Sequence, residues 1–200
     1  VSLYSLRPEP SMELGHTAAD GTVLKYNPEY LMELYRLGNV AVNRCYLHSI
    51  FHCLLGHVWN LRGAENRQLW DLACDIAVES VIDSSPYRCL HNPSKPYRRA
   101  VYQGLQKKVP VLNAEGIFCL LQKAELDMRV VARMIQEFTV DEHFLWRQGE
   151  NDNPVPMEQQ NRWQDIREKM ETELDTFSKE AAEDSQGLQE QLRVENRQRY

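Results

Sequence analysis

The stretch NVAVNRCYLHSIFHCLL, residues 39–55, is apolar on nearly every face when drawn as a helix. Such a pattern predicts a helix that lies inside a core rather than on a surface. His48 and His52 are four residues apart, so their side chains project from the same face of this helix, one turn from each other. The stretch therefore predicts a buried central helix that carries two neighbouring imidazoles.

Helices are also predicted on both sides of this stretch. The first begins after Asn27, a good N-cap residue, and ends before Gly38. Prolines and small polar residues between 83 and 110 predict a long loop with one short helix in it. The only strand signal, DGTVLKY at 20–26, predicts one hairpin at most. We expect a mainly α domain with helices at 28–37, 66–81, 98–106, 114–123 and 128–138.

The composition changes after residue 151. Residues 157–200 are rich in Glu, Gln, Arg, Lys and Asp and carry few apolar anchors. This composition predicts one or two solvated helices with a narrow apolar stripe. The sequence therefore predicts a compact helical domain at 1–150 and a charged helical tail or linker at 151–200, leading to a further domain.

Charge and cysteine usage exclude several classes of protein. The net charge of −6 and pI of 5.6 argue against binding to nucleic acid or to an anionic membrane surface. No apolar run is long enough to span a bilayer, and the first residues lack the pattern of a signal peptide. The five cysteines include no CxxC pair. We expect a cytoplasmic protein whose cysteines are reduced.

The histidine pair has two interpretations. Two imidazoles on a buried helix need partners for their polar atoms, and one shared metal ion would satisfy both. Alternatively, each ring bonds separately to a backbone carbonyl or a carboxylate of the core. A third imidazole, His57, follows Gly56. It becomes a ligand only if the chain turns at that glycine.

A further ligand is expected on the next helix. Asp75 and Glu79 are again four residues apart, in a segment that is otherwise small and apolar. The small Ala73 and Ala77 would let this helix approach the histidine helix closely. A set of two histidines and Asp75, with water in the fourth position, is then a coherent zinc site. Alternatively, Asp75 only orients an imidazole and Glu79 lies on the surface.

Four segments carry a resemblance to a known family: AADGTVLKYNPEYLMEL (18–34), YLHSIFHCLLGH (46–57), LWDLACDIAVESVID (69–83) and VDEHFLWR (140–147). In this order they resemble the bacterial, zincin-like metallopeptidase domain that precedes a von Willebrand factor A-like domain and is associated with AAA+ ATPases. The resemblance implies a Zn²⁺ cofactor bound by His48, His52 and Asp75, with His57 as the alternative third ligand. It also implies a peptide or protein substrate and those two partners.

The sequence departs from the family at Ser49. The family's HExxH motif has a glutamate there, and this glutamate is the general base that takes a proton from metal-bound water. A serine hydroxyl cannot take this proton near neutral pH. General acid–base catalysis contributes roughly 10²- to 10⁴-fold to a rate, so the sequence predicts that metal binding is retained and standard proteolysis is weak or lost.

Two places could supply a substitute base. One is Glu79, and the other is the segment Asp141, Glu142 and His143. The simpler interpretation makes Asp141 a helix cap and His143 a packing partner of Trp146.

Two functions therefore remain as hypotheses. The first is a degenerate zinc metallopeptidase-like domain, and the second is a non-catalytic interaction module that works with a von Willebrand factor A-like domain and an AAA+ ATPase. The coordination of the metal separates them. An accessible, water-bearing position favours the first, and a site closed by protein ligands favours the second.

Overall fold

The computed structural model describes residues 2–60, 66–93, 95–124, 126–146, 157–181 and 186–197. Within these residues the protein is mainly α, as predicted. The helices are α1 Pro28–Leu37, α2 Asn39–Leu54, α3 Arg67–Ser84, α4 Pro96–Gln106, α5 Ala114–Lys123, α6 Met128–Phe138, α7 Met157–Ala181 and α8 Gln186–Arg197. Three strands accompany them: β1 Arg7–Pro10, β2 Thr17–Ala19 and β3 Val23–Tyr26. No helix in the described ranges has both the length and the apolar character that a membrane crossing requires.

The sheet contains the predicted hairpin and one additional strand. β2 and β3 pair antiparallel around a tight turn, in which the Asp20 carboxylate accepts hydrogen bonds from the N–H groups of Thr22 and Val23, both at 2.7 Å. β1 pairs with β3 in parallel, so the strand order is β1-β3-β2. The sequence of β1, RPEP, contains two prolines, which lack the N–H donor. This explains why the sequence pattern did not reveal a strand there.

Helix ends follow the local capping chemistry. The Asn27 side chain accepts hydrogen bonds from the N–H groups of Glu29 and Tyr30 at the start of α1. Gly38, with φ of 116°, separates α1 from α2. α4 begins at Pro96, two residues before the predicted start, because a proline is well accommodated in the first helical turn.

The helices α2 and α3 pack against each other in the middle of the core. Ala73 and Ala77 of α3 are fully buried, as expected of small residues where two helices approach closely. α3 also contacts α5, α6 and α8. The α2–α3 pair is therefore the scaffold on which other parts of the chain are placed.

The charged C-terminal helices pack against this core. Trp163 of α7 is fully buried, and its indole N–H donates to the Gly21 carbonyl at 2.7 Å. Leu192 of α8 is also fully buried, and the Gln191 amide donates to the Leu112 carbonyl at 2.9 Å. These anchors are thus inside, and two charged side chains of the same helices, Arg167 and Glu195, are buried with them. The predicted domain boundary at 150/151 lies outside the described residues.

The segment 139–146, which follows α6, is held against strand β2. The Glu142 N–H donates to the Thr17 carbonyl at 2.7 Å. The Trp146 indole N–H donates to the Ala19 carbonyl at 3.1 Å. These two bonds fix both ends of β2 to the segment. They bring the segment alongside the face of α2 that carries His48 and His52.

Candidate metal centre

Five side chains that can bind a metal converge in the core. They come from α2, from α3 and from the segment 139–146. Each offers one ligand atom, and these atoms all lie within 4.8 Å of one another. The side chains are between 0% and 7% exposed. We call them the five-residue cluster: His48, His52, Asp75, Asp141 and His143.

The distances within the cluster are those of ligands around one ion. Asp75 Oδ1 lies 3.3 Å from His48 Nε2, 3.3 Å from His52 Nε2 and 3.2 Å from His143 Nε2. Asp141 Oδ1 lies 2.9 Å from His143 Nε2 and 3.3 Å from His48 Nε2. For metal–ligand bonds of about 2.0–2.1 Å, ligand atoms are about 2.9 Å apart at right angles and about 3.4 Å apart at tetrahedral angles. These separations between ligand atoms would suit a single small cation.

Hydrogen bonding alone does not account for the cluster. Asp75 Oδ1 is buried and accepts no hydrogen bond of acceptable geometry, although three imidazole nitrogens are close to it. A buried carboxylate oxygen needs a donor or a cation. Two carboxylates would neutralise a divalent ion, so that no net charge is buried. Imidazoles with carboxylates are ligands that suit divalent transition metals. The donor set therefore fits such an ion.

His48 is oriented by a charged network on its outer side. Its Nδ1 lies 2.8 Å from Glu79 Oε1, which leaves Nε2 to face the cluster. Glu79 also accepts from Arg44 at 2.8 Å and from Arg98. Burial favours the neutral acid, but the bond to His48 and the two guanidinium groups outweigh it and hold the pKa of Glu79 at about 2. An ionised Glu79 fixes both the ring orientation and the tautomer of His48.

His52 is oriented by His57. Gly56 has a left-handed backbone conformation with φ of 76°, so the chain turns there and His57 returns toward α2. His57 Nδ1 lies 3.0 Å from Nδ1 of His52, whose Nε2 faces the cluster. Burial lowers the pKa of both rings, that of His52 to about 4, so both are neutral at physiological pH. One N–H···N bond between the Nδ1 atoms directs Nε2 of His52 into the cluster, where it lies 2.8 Å from Nε2 of His48.

The segment 139–146 supplies the remaining two members. The His143 ring stacks on Trp146, with ring centroids 3.7 Å apart and planes inclined by 13°, so the predicted packing pair is present. Asp141 Oδ1 faces the cluster, while its Oδ2 accepts a hydrogen bond from the Ser49 hydroxyl at 3.5 Å. Glu142 points elsewhere, and its carboxylate accepts from the N–H groups of Gly15 and His16.

Comparison with known proteins agrees with this picture. A family model described as "Putative metallopeptidase domain" matches residues 1–194. The chain belongs to this metallopeptidase-domain family. The match includes nearly all of the charged C-terminal helices. No curated protein and no solved structure matches the chain.

Within this family domain, the structure brings together the three residues that the resemblance implied as ligands and adds two more. His48, His52 and Asp75 belong to the five-residue cluster, whereas His57 lies on the far side of His52. Asp141 and His143 were considered only as substitute bases or structural residues. The one available signal was their spacing, because residues two apart in an extended segment project to the same side.

The residues considered as bases also have defined positions in the family domain. Ser49, at the position of the HExxH glutamate, is fully buried and bonds to Asp141. Glu79 lies against Nδ1 of His48, on the opposite side of that ring from the cluster. In this arrangement Glu79 orients His48 and does not face the centre of the five-residue cluster.

One cavity of the described residues lies beside Glu79's charged partners and does not have the cluster in its lining. It has a volume of about 540 Å³ and is lined by Arg44, Asp83, Arg98 and Tyr102 among others. These side chains belong to the network outside Glu79. A second cavity, of about 1080 Å³, lies near the first strand and Tyr46. No member of the five-residue cluster lines either cavity, and the burial of its side chains is what separates it from solvent.

Proposed function

We propose that this family domain binds one zinc ion at the five-residue cluster and that the ion joins three parts of the fold without supporting standard peptide hydrolysis. The observation that carries the proposal is the convergence of five buried ligand atoms, all within 4.8 Å of one another, from α2, α3 and the segment 139–146. Of the divalent metals that suit these donors, zinc is the one that the family resemblance implies.

The number of protein ligands supports a structural role. Catalytic zinc sites commonly have three protein ligands and an accessible position for water or substrate. Here three imidazoles and two carboxylates surround the same point, and their side chains are nearly inaccessible to solvent. The adjacent helix position carries Ser49, which is not a base near neutral pH. Zinc in an accessible site would activate water as a nucleophile. If all five side chains bound the ion, they would take the positions that this water needs.

Elemental analysis of the purified protein is the decisive test. We expect about one zinc per chain in the wild type and loss of zinc in the variant His48→Ala/His52→Ala, with Mn, Fe, Co, Ni and Cu quantified in parallel. Free zinc at 100 times its Kd stabilises the folded state by about 2.7 kcal/mol. For a chain of this size that corresponds to a rise in Tm of roughly 5–11 °C. A wild type without metal, and with a Tm that zinc leaves unchanged, would refute the proposal.

A catalytic role is the second candidate, because the chain belongs to a metallopeptidase-domain family and retains two histidines at the HxxxH spacing. The test is hydrolysis of an unfolded protein substrate by zinc-loaded wild type. The variant His48→Ala/His52→Ala is the control for contaminating proteases. Metal-dependent cleavage that disappears in this variant would favour a peptidase over a structural zinc site.

We also propose that the domain acts beside a von Willebrand factor A-like domain and an AAA+ ATPase. This proposal rests on the family resemblance of the four quoted segments. Co-purification of the full-length protein with an AAA+ ATPase encoded beside it, in the presence and absence of ATP, would test the association. An ATPase that elutes separately under both conditions would argue against it.

A further inference from the structure

Ser49 and Asp141 contact each other at the edge of the five-residue cluster. Ser49 follows the ligand-type His48 on α2 and is fully buried. Its hydroxyl donates to Asp141 Oδ2 at 3.5 Å, while the other oxygen of Asp141 is 3.3 Å from His48 Nε2. The carboxylate of Asp141 therefore lies between the serine hydroxyl and the metal position.

We propose that Asp141 is a metal ligand that closes the site and that the short side chain of Ser49 is what admits it. This inference rests on the proposed function, since it assigns one ligand of that site. It also explains a sequence departure: the residue that replaces a glutamate is the one that holds the closing carboxylate. A carboxylate at position 49 and the carboxylate at 141 are then mutually exclusive.

Steric and electrostatic arguments both lead to this exclusion. A glutamate at position 49 would place its Cγ near the serine oxygen and its carboxylate oxygens two bonds further, each bond being about 1.5 Å or shorter. The gap from the serine oxygen to Asp141 Oδ2 is 3.5 Å. The two carboxylates would therefore collide or approach within contact distance. In a buried site, two adjacent like charges are strongly unfavourable.

The position of Asp141 is determined by the fold rather than by α2. The backbone bond from Glu142 to Thr17 holds the segment against β2, and the bond from the Trp146 indole to the Ala19 carbonyl holds it there a second time. Asp141 therefore cannot move away to accommodate a longer side chain without breaking one of these contacts. A substitution at position 49 must act on the whole segment 139–146.

The test compares Ser49→Glu, Asp141→Ser and the double variant Ser49→Glu/Asp141→Ser, with Ser84→Glu as the same chemical change at an exposed helix position. Tm is measured in the presence of a chelator, so that this readout does not depend on zinc. We expect Ser49→Glu to lower Tm by more than 5 °C or to yield no folded protein, and the double variant to recover most of that loss. Ser84→Glu should leave Tm nearly unchanged.

The metal-ligand part has a separate readout. Asp141→Asn keeps the size of the side chain but removes its charge, and we expect zinc affinity to fall at least 10-fold and the visible absorption of the Co²⁺-loaded protein to change. A Ser49→Glu variant with the Tm of the wild type would overturn the exclusion. A double variant no more stable than Ser49→Glu would overturn it as well. Unchanged zinc affinity and Co²⁺ spectrum in Asp141→Asn would overturn the ligand assignment. A wild type that binds no metal would instead refute the proposed function and leave the measured coupling standing.

Discussion

Replacing His143 by alanine should weaken zinc binding far more than replacing an exposed histidine such as His91. His143 Nε2 lies 3.2 Å from Asp75 Oδ1 and 2.9 Å from Asp141 Oδ1, so it belongs to the five-residue cluster at which we propose that zinc binds. Structural zinc in small domains binds with an apparent free energy of roughly 10–16 kcal/mol. Shared among five ligands this is roughly 2–3 kcal/mol each, and each 1.4 kcal/mol is a factor of ten. We therefore expect the Kd for zinc to rise roughly 30- to 140-fold.

The assay is a competition titration against a chromophoric zinc chelator at fixed pH. It reports affinity directly, so the loss of the stacking on Trp146 does not confuse the result as it would in a thermal melt. His91→Ala is the matched control, because His91 is exposed and lies outside the cluster. Wild-type affinity in His143→Ala, together with loss of affinity in His57→Ala, would refute the reasoning. It would mean that His57 completes a site with His48 and His52.

Three further predictions follow from other contacts. Glu79→Gln should lower zinc affinity roughly 10- to 100-fold in the same titration, because Glu79 orients His48; an unchanged affinity would contradict that role. Zinc binding to the metal-free protein at pH 7 should release about two protons, measured by calorimetry in buffers of different ionisation enthalpy. The reason is that, despite burial, the neighbouring carboxylates raise the pKa of His48 and His143 well above 6.5, so both are protonated without metal. Affinity should accordingly fall as the pH is lowered, and a release near zero would show that both rings start neutral. Trp163→Ala should lower the free energy of unfolding by about 3–5 kcal/mol and Tm by roughly 6–20 °C; a Tm within 2 °C of the wild type would show that α7 is not packed on the core.

The helices could be predicted from sequence because their signals are local. Asn27, Asn113 and Asp127 accept backbone hydrogen bonds within the first turn of the helix that each precedes. The apolar spacing of α2 and α3 identified the two central helices for the same reason. Strand β1 could not be predicted, since RPEP has no alternation of apolar residues and pairs with β3 through long-range contacts.

In the candidate site, too, the residues with local sequence signals could be predicted and those placed by long-range contacts could not. His48, His52 and Asp75 lie on helices, where a spacing of four residues and two small neighbours already indicate a shared face. Asp141 and His143 lie in a segment without regular structure. Their placement depends on a backbone bond from Glu142 to Thr17, and nothing in the sequence near residue 142 specifies that partner. Sequence reasoning therefore found three of the five members of the cluster and considered the other two only for different roles.

The attachment of the segment 139–146 to β2 has a consequence for the order of events during protein synthesis. A nascent chain that has not yet reached residue 139 presents only the two histidines of α2 and Asp75. The closing ligands emerge about 70 residues later and need the first strands already folded to receive them, as expected when the N-terminal part of a chain folds first. Metal acquisition would then be a late step in the folding of this domain, possible only after the segment 139–146 has emerged. An ion retained after chelator challenge would distinguish finished molecules from fragments that end before this segment.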